Sequence, residues 1–375
     1  MNAFKICSQF GVEIVAKKDI VKGLINNTCL VTTKNGQKYI LQEINSNVFK
    51  DVDKLMHNID VVTEHIKKKT IQEGGKKNST LNLLKTNAGK SYVSTLENDG
   101  KSHYYRMYDY IDNATSFDQA NEELLYQAGV GFGRFQRQLS DFPAEQLYES
   151  IPDFHNTIAR YNAFNDSMFK AFETNDNTAH KKAFHEIQYA RENKKLAGLI
   201  MNDLNSHKIP LRVVHNDTKL NNVMLNNLTH QPVCVIDLDT IMPGSLLFDY
   251  GDAIRYGANT GLEDDENLEN VGIDMKKFTA FTNGFLKETA GSITKRELEL
   301  LPFAPIVLAY ELGLRFLTDY LDGNKYFRCD GNRPDHNLER TRAQFKLMSD
   351  MKKHLPDMQH IINDLYIKNL PNPNM

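Results

Sequence analysis

The first hundred residues alternate between short apolar runs and polar breaks, a pattern typical of β-strands. Apolar and β-branched residues dominate positions 28–33 and 37–44, and the Asn-Gly pair at positions 35–36 predicts a tight hairpin between them. Two further strands are predicted over residues 91–96 and 103–111. Between these pairs, apolar residues recur at helical spacing and predict one helix: Leu55, Ile59, Val62 and Ile66.

The pattern becomes helical after residue 113. An apolar stripe through Leu124, Ala128 and Phe132 predicts a long helix that begins near Asp118. Helical spacing dominates the rest of the chain, except for two short apolar strands at residues 223–226 and 233–236. We therefore predict an α+β fold with two lobes. The small, β-rich lobe covers residues 1–112, and the larger, mostly helical lobe covers residues 113–375 and carries one β-hairpin.

Composition argues against several classes of protein. The 375 residues include 45 basic and 48 acidic side chains, a balance that does not indicate a nucleic-acid or membrane-surface partner. No run of 18 apolar residues predicts a membrane span, and the N-terminus lacks an apolar signal core. The dispersed cysteines are typical of free thiols in a reducing cytoplasm: Cys7, Cys29, Cys234 and Cys329.

Polar residues follow the two short strands of the helical lobe. If Val223 lies opposite Ile236 in an antiparallel hairpin, Asn222 lies opposite Asp237 at the open end. Asp217 lies on the loop that leads into this end. Carboxylate and amide oxygens are ligands that Mg²⁺ prefers, so the sequence predicts a metal site here.

Asp239 leaves two interpretations open. It follows Asp237 by two residues, so along a strand it would point the same way and could be a second metal ligand; it could equally be a solvated carboxylate. The complete pattern is His-x-Asp-x-x-x-x-Asn, then an apolar strand and Asp. This is the catalytic spacing of protein-kinase-like phosphotransferases.

The strings "HNDTKLNNVML" and "VCVIDLDT" resemble the aminoglycoside phosphotransferase and choline kinase superfamily. The strings "VIDLDTIMPGSLLFDYGDAIRYGANTGLED", "YILQEINSNVFKD" and "IPDFHNTIARY" resemble the N-acetylhexosamine 1-kinases, which phosphorylate the anomeric hydroxyl of GlcNAc and GalNAc. The resemblance extends from about residue 20 to about residue 345. It implies a protein-kinase-like fold, ATP as phosphoryl donor, Mg²⁺ and a small sugar substrate.

The resemblance also assigns roles around the catalytic loop. Asp217 would act beside the sugar hydroxyl as base or orienting group, and Asn222 and Asp237 would hold Mg²⁺ on the nucleotide. His215 is expected to be structural, with its ring bonded to backbone inside the loop. Asp249 would brace the same loop.

A nucleotide site follows from the same resemblance. The turn before the second strand would cover the phosphates with Gly23, Asn26, Asn27 and Thr28. The connector between the lobes would bind adenine through the backbone of Tyr108, Asp109 and Tyr110. One position departs from related kinases, because Gln42 stands on the third strand where they carry a phosphate-binding lysine.

Two segments are candidates for sugar binding. By resemblance the pocket includes Asp252, Arg255, Tyr256, Arg315 and Tyr326. From the residues alone, the spacing of Glu311, Arg315 and Asp319 along one helix equally fits a solvent-facing stripe of ion pairs.

Other functions fit the residues less well. The Asp-Leu-Asp-Thr segment lacks the threonine that haloacid-dehalogenase phosphatases need at position 241, which is Ile241. A kinase-fold binding protein without catalysis is disfavoured, because Asp217, Asn222 and Asp237 are all present. The serious alternative is a sister kinase for choline, homoserine or an aminoglycoside. The chain has no Trp for a choline pocket, and an acidic stretch suited to aminoglycosides occurs only at residues 261–270.

Overall fold

The computed structural model describes residues 2–20, 25–75, 80–96, 100–119, 121–173 and 178–371. After a short helix, the N-terminal part of the chain forms a five-stranded antiparallel sheet with strand order β1-β2-β3-β5-β4. The elements are α1 (Ala3–Gln9), β1 (Ile14–Ile20), β2 (Asn27–Thr33), β3 (Lys38–Ile44), α2 (Val52–Gln72), β4 (Val93–Leu96) and β5 (Ser102–Asp109).

The hairpin between β2 and β3 has the predicted Asn-Gly turn. Gly36 has a φ of 82°, a left-handed conformation that glycine adopts without steric cost, and its N–H donates to the carbonyl of Thr33. Alternate residues of both strands are buried, including Val31 and Leu41. Helix α1, which the sequence did not predict, contributes Ile6 and Cys7 to the apolar cluster of the sheet.

The helical lobe contains most of the remaining chain. Its helices are α3 (Glu122–Gln138), α4 (Thr157–Glu173), α5 (Thr178–Lys182), α6 (Phe184–Glu192), α7 (Met201–Asn205), α8 (Leu246–Gly257), α9 (Met275–Thr289), α10 (Lys295–Leu300), α11 (Ala304–Leu321), α12 (His336–Lys353) and α13 (Leu355–Asn369). The α+β class with two lobes is confirmed. The boundary between residues 112 and 113 stays a prediction.

The helical lobe contains further short strands besides the two of the predicted hairpin. They are β6 (Ala114–Thr115), β7 (Arg212–Val214), β8 (Val223–Asn226), β9 (Pro232–Val235) and β10 (Met242–Gly244). β6 and β9 flank β8 in one sheet, and β7 pairs with β10 in another. The predicted hairpin is present as β8 and β9, and the other three strands are too short to show a periodicity of their own.

The long helix also starts later than predicted. The chain stays extended through β6, and α3 begins at Glu122 rather than near Asp118. The side chain of Asn121 caps the helix by accepting from the N–H of Leu124 at 2.8 Å. An Asn cap satisfies an N–H that the first turn of a helix leaves unpaired, which explains the position of the start.

One large apolar core runs through the helical lobe and includes the inner face of α2. The stretch Lys295–Leu321 has the length and apolar composition of a membrane span, but most of its apolar window is buried inside the protein. Val307, Tyr310 and Leu314 are fully buried on it. This composition is that of a core helix, around which α4, α8 and α12 pack.

Candidate active site

A loop between β7 and β8 carries the predicted catalytic residues, and Asp249 of α8 holds its start. The two carboxylate oxygens of Asp249 accept from the backbone N–H of His215 at 3.0 and 2.9 Å, and one of them accepts from the N–H of Asn216 at 2.8 Å. Gln136 donates to the same carboxylate at 2.7 Å. Burial raises the pKa of Asp249, while these donors and His215 oppose the rise. This is the geometry that the predicted bracing role requires.

The ring of His215 lies inside the loop and is fully buried. Its Nε2 lies 2.9 Å from the carbonyl oxygen of Ile236, which can only accept, so Nε2 carries the proton. Its Nδ1 then accepts from the N–H of Asp217 at 3.3 Å. The imidazole thus bridges the catalytic loop and the residue that follows β9, which fits the structural role predicted for it.

Asp217 is held between two polar side chains. Its Oδ1 lies 2.8 Å from the ammonium of Lys219, and its Oδ2 accepts from the Asn222 amide at 3.1 Å. Burial lowers the pKa of Lys219, but the carboxylates of Asp217 and Asp252 outweigh burial and raise it. Lys219 therefore remains a cation beside the carboxylate that would meet the acceptor hydroxyl.

The hairpin register differs from the predicted one. Val223 pairs with Val235 rather than with Ile236, and the register shifts again between Met224 and Leu225. Asn222 is consequently level with Ile236, whose N–H donates to its carbonyl at 2.9 Å. The correction has a local cause, because Asp237 leaves the strand in a left-handed conformation with φ 61° and ψ 58°.

Asn222 and Asp237 nevertheless line the same cavity. The Asn222 amide nitrogen donates to Asp217, so its Oδ1 is the atom left to meet a cation. Burial and the neighbouring charge of Asp239 raise the pKa of Asp237 to about 6. The donor set fits Mg²⁺, which uses few protein oxygens and completes its shell with phosphate and water. The described residues hold no cluster of three or more His, Cys, Asp or Glu for another kind of metal site.

Asp239 does not continue a strand. It lies in a turn of 3₁₀ helix over Leu238–Thr240, and its side chain is buried rather than solvated. The carboxylate forms an ion pair with Arg106 of β5 and accepts from the Asn26 amide at 2.5 Å. The interpretation as a solvated carboxylate is therefore wrong. A role as second metal ligand stays a prediction, and it would require this ion pair to open.

A cavity of about 520 Å³ lies between the sheet and the catalytic loop. One end is lined by apolar side chains of both lobes, among them Ile20 and Ile40 on the sheet side and Met224 and Ile236 on the other. The opposite end is polar and is lined by Gln42, Arg106, Asp217, Lys219, Asn222 and Asp237. A flat apolar ring fits the first end, and a charged group that needs hydrogen bonds fits the second.

The predicted phosphate-covering turn is only partly described. Gly23 lies outside the described residues. Asn26 lines the cavity and accepts from the N–H of Asn45 at 3.0 Å, and Thr28 also lines it. Asn27 instead points its amide at Glu43 of β3 at 3.2 Å, on an exposed part of the sheet.

Two backbone N–H groups of the predicted adenine-binding connector already have partners within the protein. The N–H groups of Asp109 and Tyr110 donate to the carbonyls of Asn82 and Lys38, so they are already engaged. Tyr108, Asp109, Tyr110 and Ile111 all line the cavity. An adenine base would therefore use other backbone groups of this connector than those two N–H donors.

The stripe on α11 does not face solvent. Glu311 is 1% exposed and accepts from Thr157 at 2.5 Å and from His155 Nδ1 at 2.7 Å. Asp319 is buried and accepts the backbone N–H groups of residues 325–327. The guanidinium of Arg315 lies between the rings of Phe154 and Phe327, 5.6 and 5.5 Å from their centroids. The alternative of a solvent-facing ion-pair stripe is wrong.

The remaining sugar-site candidates fall into two groups. Asp252 and Arg255 are buried and paired with each other, with Arg255 Nε 2.8 Å from Asp252 Oδ1. Tyr256 and Tyr326 have exposed rings, and that of Tyr326 is 74% exposed. Arg255 is thus placed to orient Asp252, while the two tyrosines are free to contact a ligand.

Two residues at the site were not predicted. Arg106 lies between Tyr105 and Met107 in a strand rich in aromatic residues, and this contrast was the available signal. His155 lies in the string "IPDFHNTIARY" and has a buried Nε2 without a hydrogen-bond partner among the described residues. Its importance could not be read locally, because its partner Glu311 is 156 residues away in the chain.

Comparison with known proteins places the chain among phosphotransferases. A family model described as the phosphotransferase enzyme family matches residues 18–277. An aminoglycoside phosphotransferase from Alicyclobacillus acidocaldarius has a similar structure, with a TM-score of 0.57 and 14% identity over 95% of this chain and 97% of that one.

Two further solved structures share the fold. A spectinomycin phosphotransferase in complex with ADP and spectinomycin has a TM-score of 0.51 and 15% identity, over 93% of this chain and 96% of that one. A choline/ethanolamine kinase family protein from Mesorhizobium loti has a TM-score of 0.52 and 13% identity, over 94% of this chain and 93% of that one. With a match that covers most of its length, the chain belongs to the phosphotransferase enzyme family.

Proposed function

We propose that this protein transfers the terminal phosphoryl group of ATP to the anomeric hydroxyl of N-acetylhexosamines, GlcNAc and GalNAc. The observation that carries the proposal is the convergence of Asp217, Asn222 and Asp237 on the polar end of a cavity whose other end is apolar. Adenine would occupy the apolar end, and the phosphates would extend toward these three side chains. The proposed location is the cytoplasm, which suits four unpaired cysteine thiols.

The residues divide the work of phosphoryl transfer between them. Asp217 orients the acceptor hydroxyl and accepts its proton, and Lys219 and Asn222 fix the direction of the carboxylate. Asn222 and Asp237 hold Mg²⁺, which when bound neutralises charge on the phosphate oxygens. His215 and Asp249 keep the loop in place, so that little reorganisation is needed when the phosphoryl group moves.

The acceptor side of the site supports a neutral sugar. The cation Lys219 lies beside Asp217, and the proposed sugar residue Arg315 lies near a second arginine, Arg160. Burial lowers the pKa of Arg160, and the charge of Arg315 lowers it further. Such a cluster repels a choline or an aminoglycoside, whereas arginine donors and exposed aromatic rings suit sugar oxygens and the apolar face of a sugar ring.

A substrate panel tests the proposal. Purified protein with ATP and Mg²⁺ is assayed for ADP release with GlcNAc, GalNAc, glucose, choline, homoserine and an aminoglycoside. We expect kcat/KM for the N-acetylhexosamines to exceed the others by about two orders of magnitude, because a wrong acceptor leaves polar groups of the site unpaired. A clear preference for choline, homoserine or an aminoglycoside would replace the sugar with that sister substrate. Asp217→Asn protein supplies the background rate.

A further inference from the structure

The third strand of the sheet lacks a charge where a nucleotide kinase needs one. Gln42 lines the phosphate end of the cavity, but an amide cannot neutralise the negative charge of a di- or triphosphate. The side chain is also engaged, because its Nε2 donates to Thr28 at 3.1 Å and its Oε1 accepts from Arg106 at 3.0 Å. The positive charge must therefore come from another residue, and the residue bonded to Gln42 is a cation, Arg106.

Arg106 lies directly across the sheet from Gln42. The two residues are register partners in the pairing of β3 with β5, so their side chains leave the same face of the sheet. Arg106 is 1% exposed and lines the same end of the cavity as Asp237. Burying a guanidinium costs free energy unless it is paired, so the burial of Arg106 at this cavity indicates a functional role.

Asp239 supplies the paired charge. Its carboxylate forms an ion pair with Nη1 of Arg106, and the Asn26 amide donates to its other oxygen. Asp239 is also only two residues after Asp237, the proposed metal ligand. The ion pair thus ties a strand of the small lobe to the metal-binding segment of the large lobe.

The guanidinium retains donors for a ligand. Nε is bonded to Gln42 and Nη1 is paired with Asp239. The contacts of the guanidinium with other described residues use Nε and Nη1, which leaves Nη2, where arginine offers two N–H groups, without a hydrogen-bond partner among them. Arg106 also faces Asp237, so two carboxylates surround one cation before any nucleotide binds. Phosphate oxygens entering this end would meet Nη2 as a fixed cationic donor.

We propose that Arg106 is the phosphate-binding cation of the nucleotide site and replaces the lysine that related kinases carry on the third strand. Asp239 and Gln42 are positioning residues that orient its guanidinium. This rests on the proposed function only in requiring a nucleotide, and it is independent of the acceptor.

Nucleotide affinity in the absence of sugar tests the proposal. Isothermal titration of the full-length protein with adenosine, AMP and ADP, each with Mg²⁺, gives the gain in affinity that the phosphates provide. In Arg106→Gln we expect ADP binding to weaken about ten- to hundredfold while adenosine binding is unchanged, because a charged hydrogen bond to phosphate is lost. Arg106→Lys keeps the charge but not the geometry, so it should lose less.

A second buried arginine provides the matched control. Arg212 of β7 pairs with Glu297 of α10 through bonds of 2.7 and 2.8 Å and is not among the residues that line the nucleotide cavity. Arg212→Lys disturbs a buried ion pair as Arg106→Lys does, and it should leave the ratio of ADP to adenosine affinity unchanged. If Arg106→Gln is not folded, the comparison of the two lysine variants decides.

The outcomes separate the inference from the function on which it rests. A wild-type ratio of ADP to adenosine affinity in folded Arg106→Gln, or in Arg106→Lys, overturns the role of Arg106. Equal losses for adenosine and ADP also overturn it, because they indicate a structural arginine. If the wild-type protein itself binds ADP no better than adenosine, the proposed nucleotide-dependent function fails instead.

Discussion

At the scale of single residues, a substitution of Asp217 distinguishes an effect on the phosphoryl transfer step from an effect on nucleotide binding. It lies between Lys219 and Asn222 at the polar end of the cavity. We expect Asp217→Asn to lower kcat by about two or more orders of magnitude, because the proton acceptor is lost, while nucleotide affinity changes little. Steady-state kinetics and ADP titration measure the two effects. Asp166→Asn, an exposed change on α4, is the control, and wild-type turnover in Asp217→Asn would remove the residue from catalysis.

Asp237 combines a metal prediction with a pH prediction. We expect Asp237→Asn to weaken Mg²⁺-nucleotide binding and nearly abolish activity, because the anionic ligand is lost. Burial raises the pKa of Asp237 from its ordinary value of 3.8 to about 6, so the folded state binds the proton more tightly than the unfolded state. Stability from this group is present below pH 3.8 and is lost as pH rises through about 6.

Metal-free wild-type protein should therefore lose stability relative to Asp237→Asn as pH rises from about 4 to about 7. Thermal unfolding of both proteins across this range measures the difference. Magnesium titrations that overlay for the two proteins would show that Asp237 is not a ligand. A stability difference that is constant across this range would contradict the raised pKa.

Arg315 tests the sugar pocket. Its guanidinium lies between two phenylalanine rings rather than in solvent. We expect Arg315→Ala to raise KM for GlcNAc and GalNAc and to spare KM for ATP, at a cost of about 1.5–3 kcal/mol in kcat/KM. Arg342→Ala, which removes a half-exposed partner of Glu186, is the control. Unchanged sugar kinetics in folded Arg315→Ala would place the residue outside the pocket.

At the scale of elements, helices α3 and α9 approach so closely that only glycine fits between them. A Cβ on Gly284 would lie 2.1 Å from the carbonyl oxygen of Tyr126, and one on Gly129 would lie 2.2 Å from that of Phe281. We expect Gly284→Ala to lower the free energy of unfolding by about 1–3 kcal/mol or more, because backbone atoms must separate. Denaturant unfolding measures this. Gly331→Ala, where a Cβ meets nothing within 4 Å, should have little effect, and equal losses in the two variants would contradict the close packing.

The elements also show what the sequence could and could not predict. The β2–β3 hairpin and helix α2 were predictable because turn residues and apolar spacing are local signals. The register of the β8–β9 hairpin was not, because it depends on the left-handed backbone of Asp237 and a shift between Met224 and Leu225. A strand pattern fixes which faces are buried only when both strands stay regular.

At the scale of the whole molecule, the predictable part of the site is the part encoded within a few residues. The spacing of Asp217 and Asn222, followed by a strand and Asp237, correctly placed all three on one cavity. The ion pair between Arg106 and Asp239 joins residues 133 positions apart, and that between His155 and Glu311 joins residues 156 apart. Such pairs depend on how the lobes pack, so the charged stripe on α11 could be read equally well as a solvated face.

The position of the phosphate on the product distinguishes a sugar 1-kinase from every other kinase of small alcohols. The protein is incubated with ATP, Mg²⁺ and GlcNAc or GalNAc, and the product is examined by phosphorus NMR with proton coupling. We expect a phosphate whose phosphorus couples to the anomeric proton of the sugar. A phosphate on another sugar oxygen, or no sugar phosphate with enzyme that phosphorylates an amino alcohol, would contradict it.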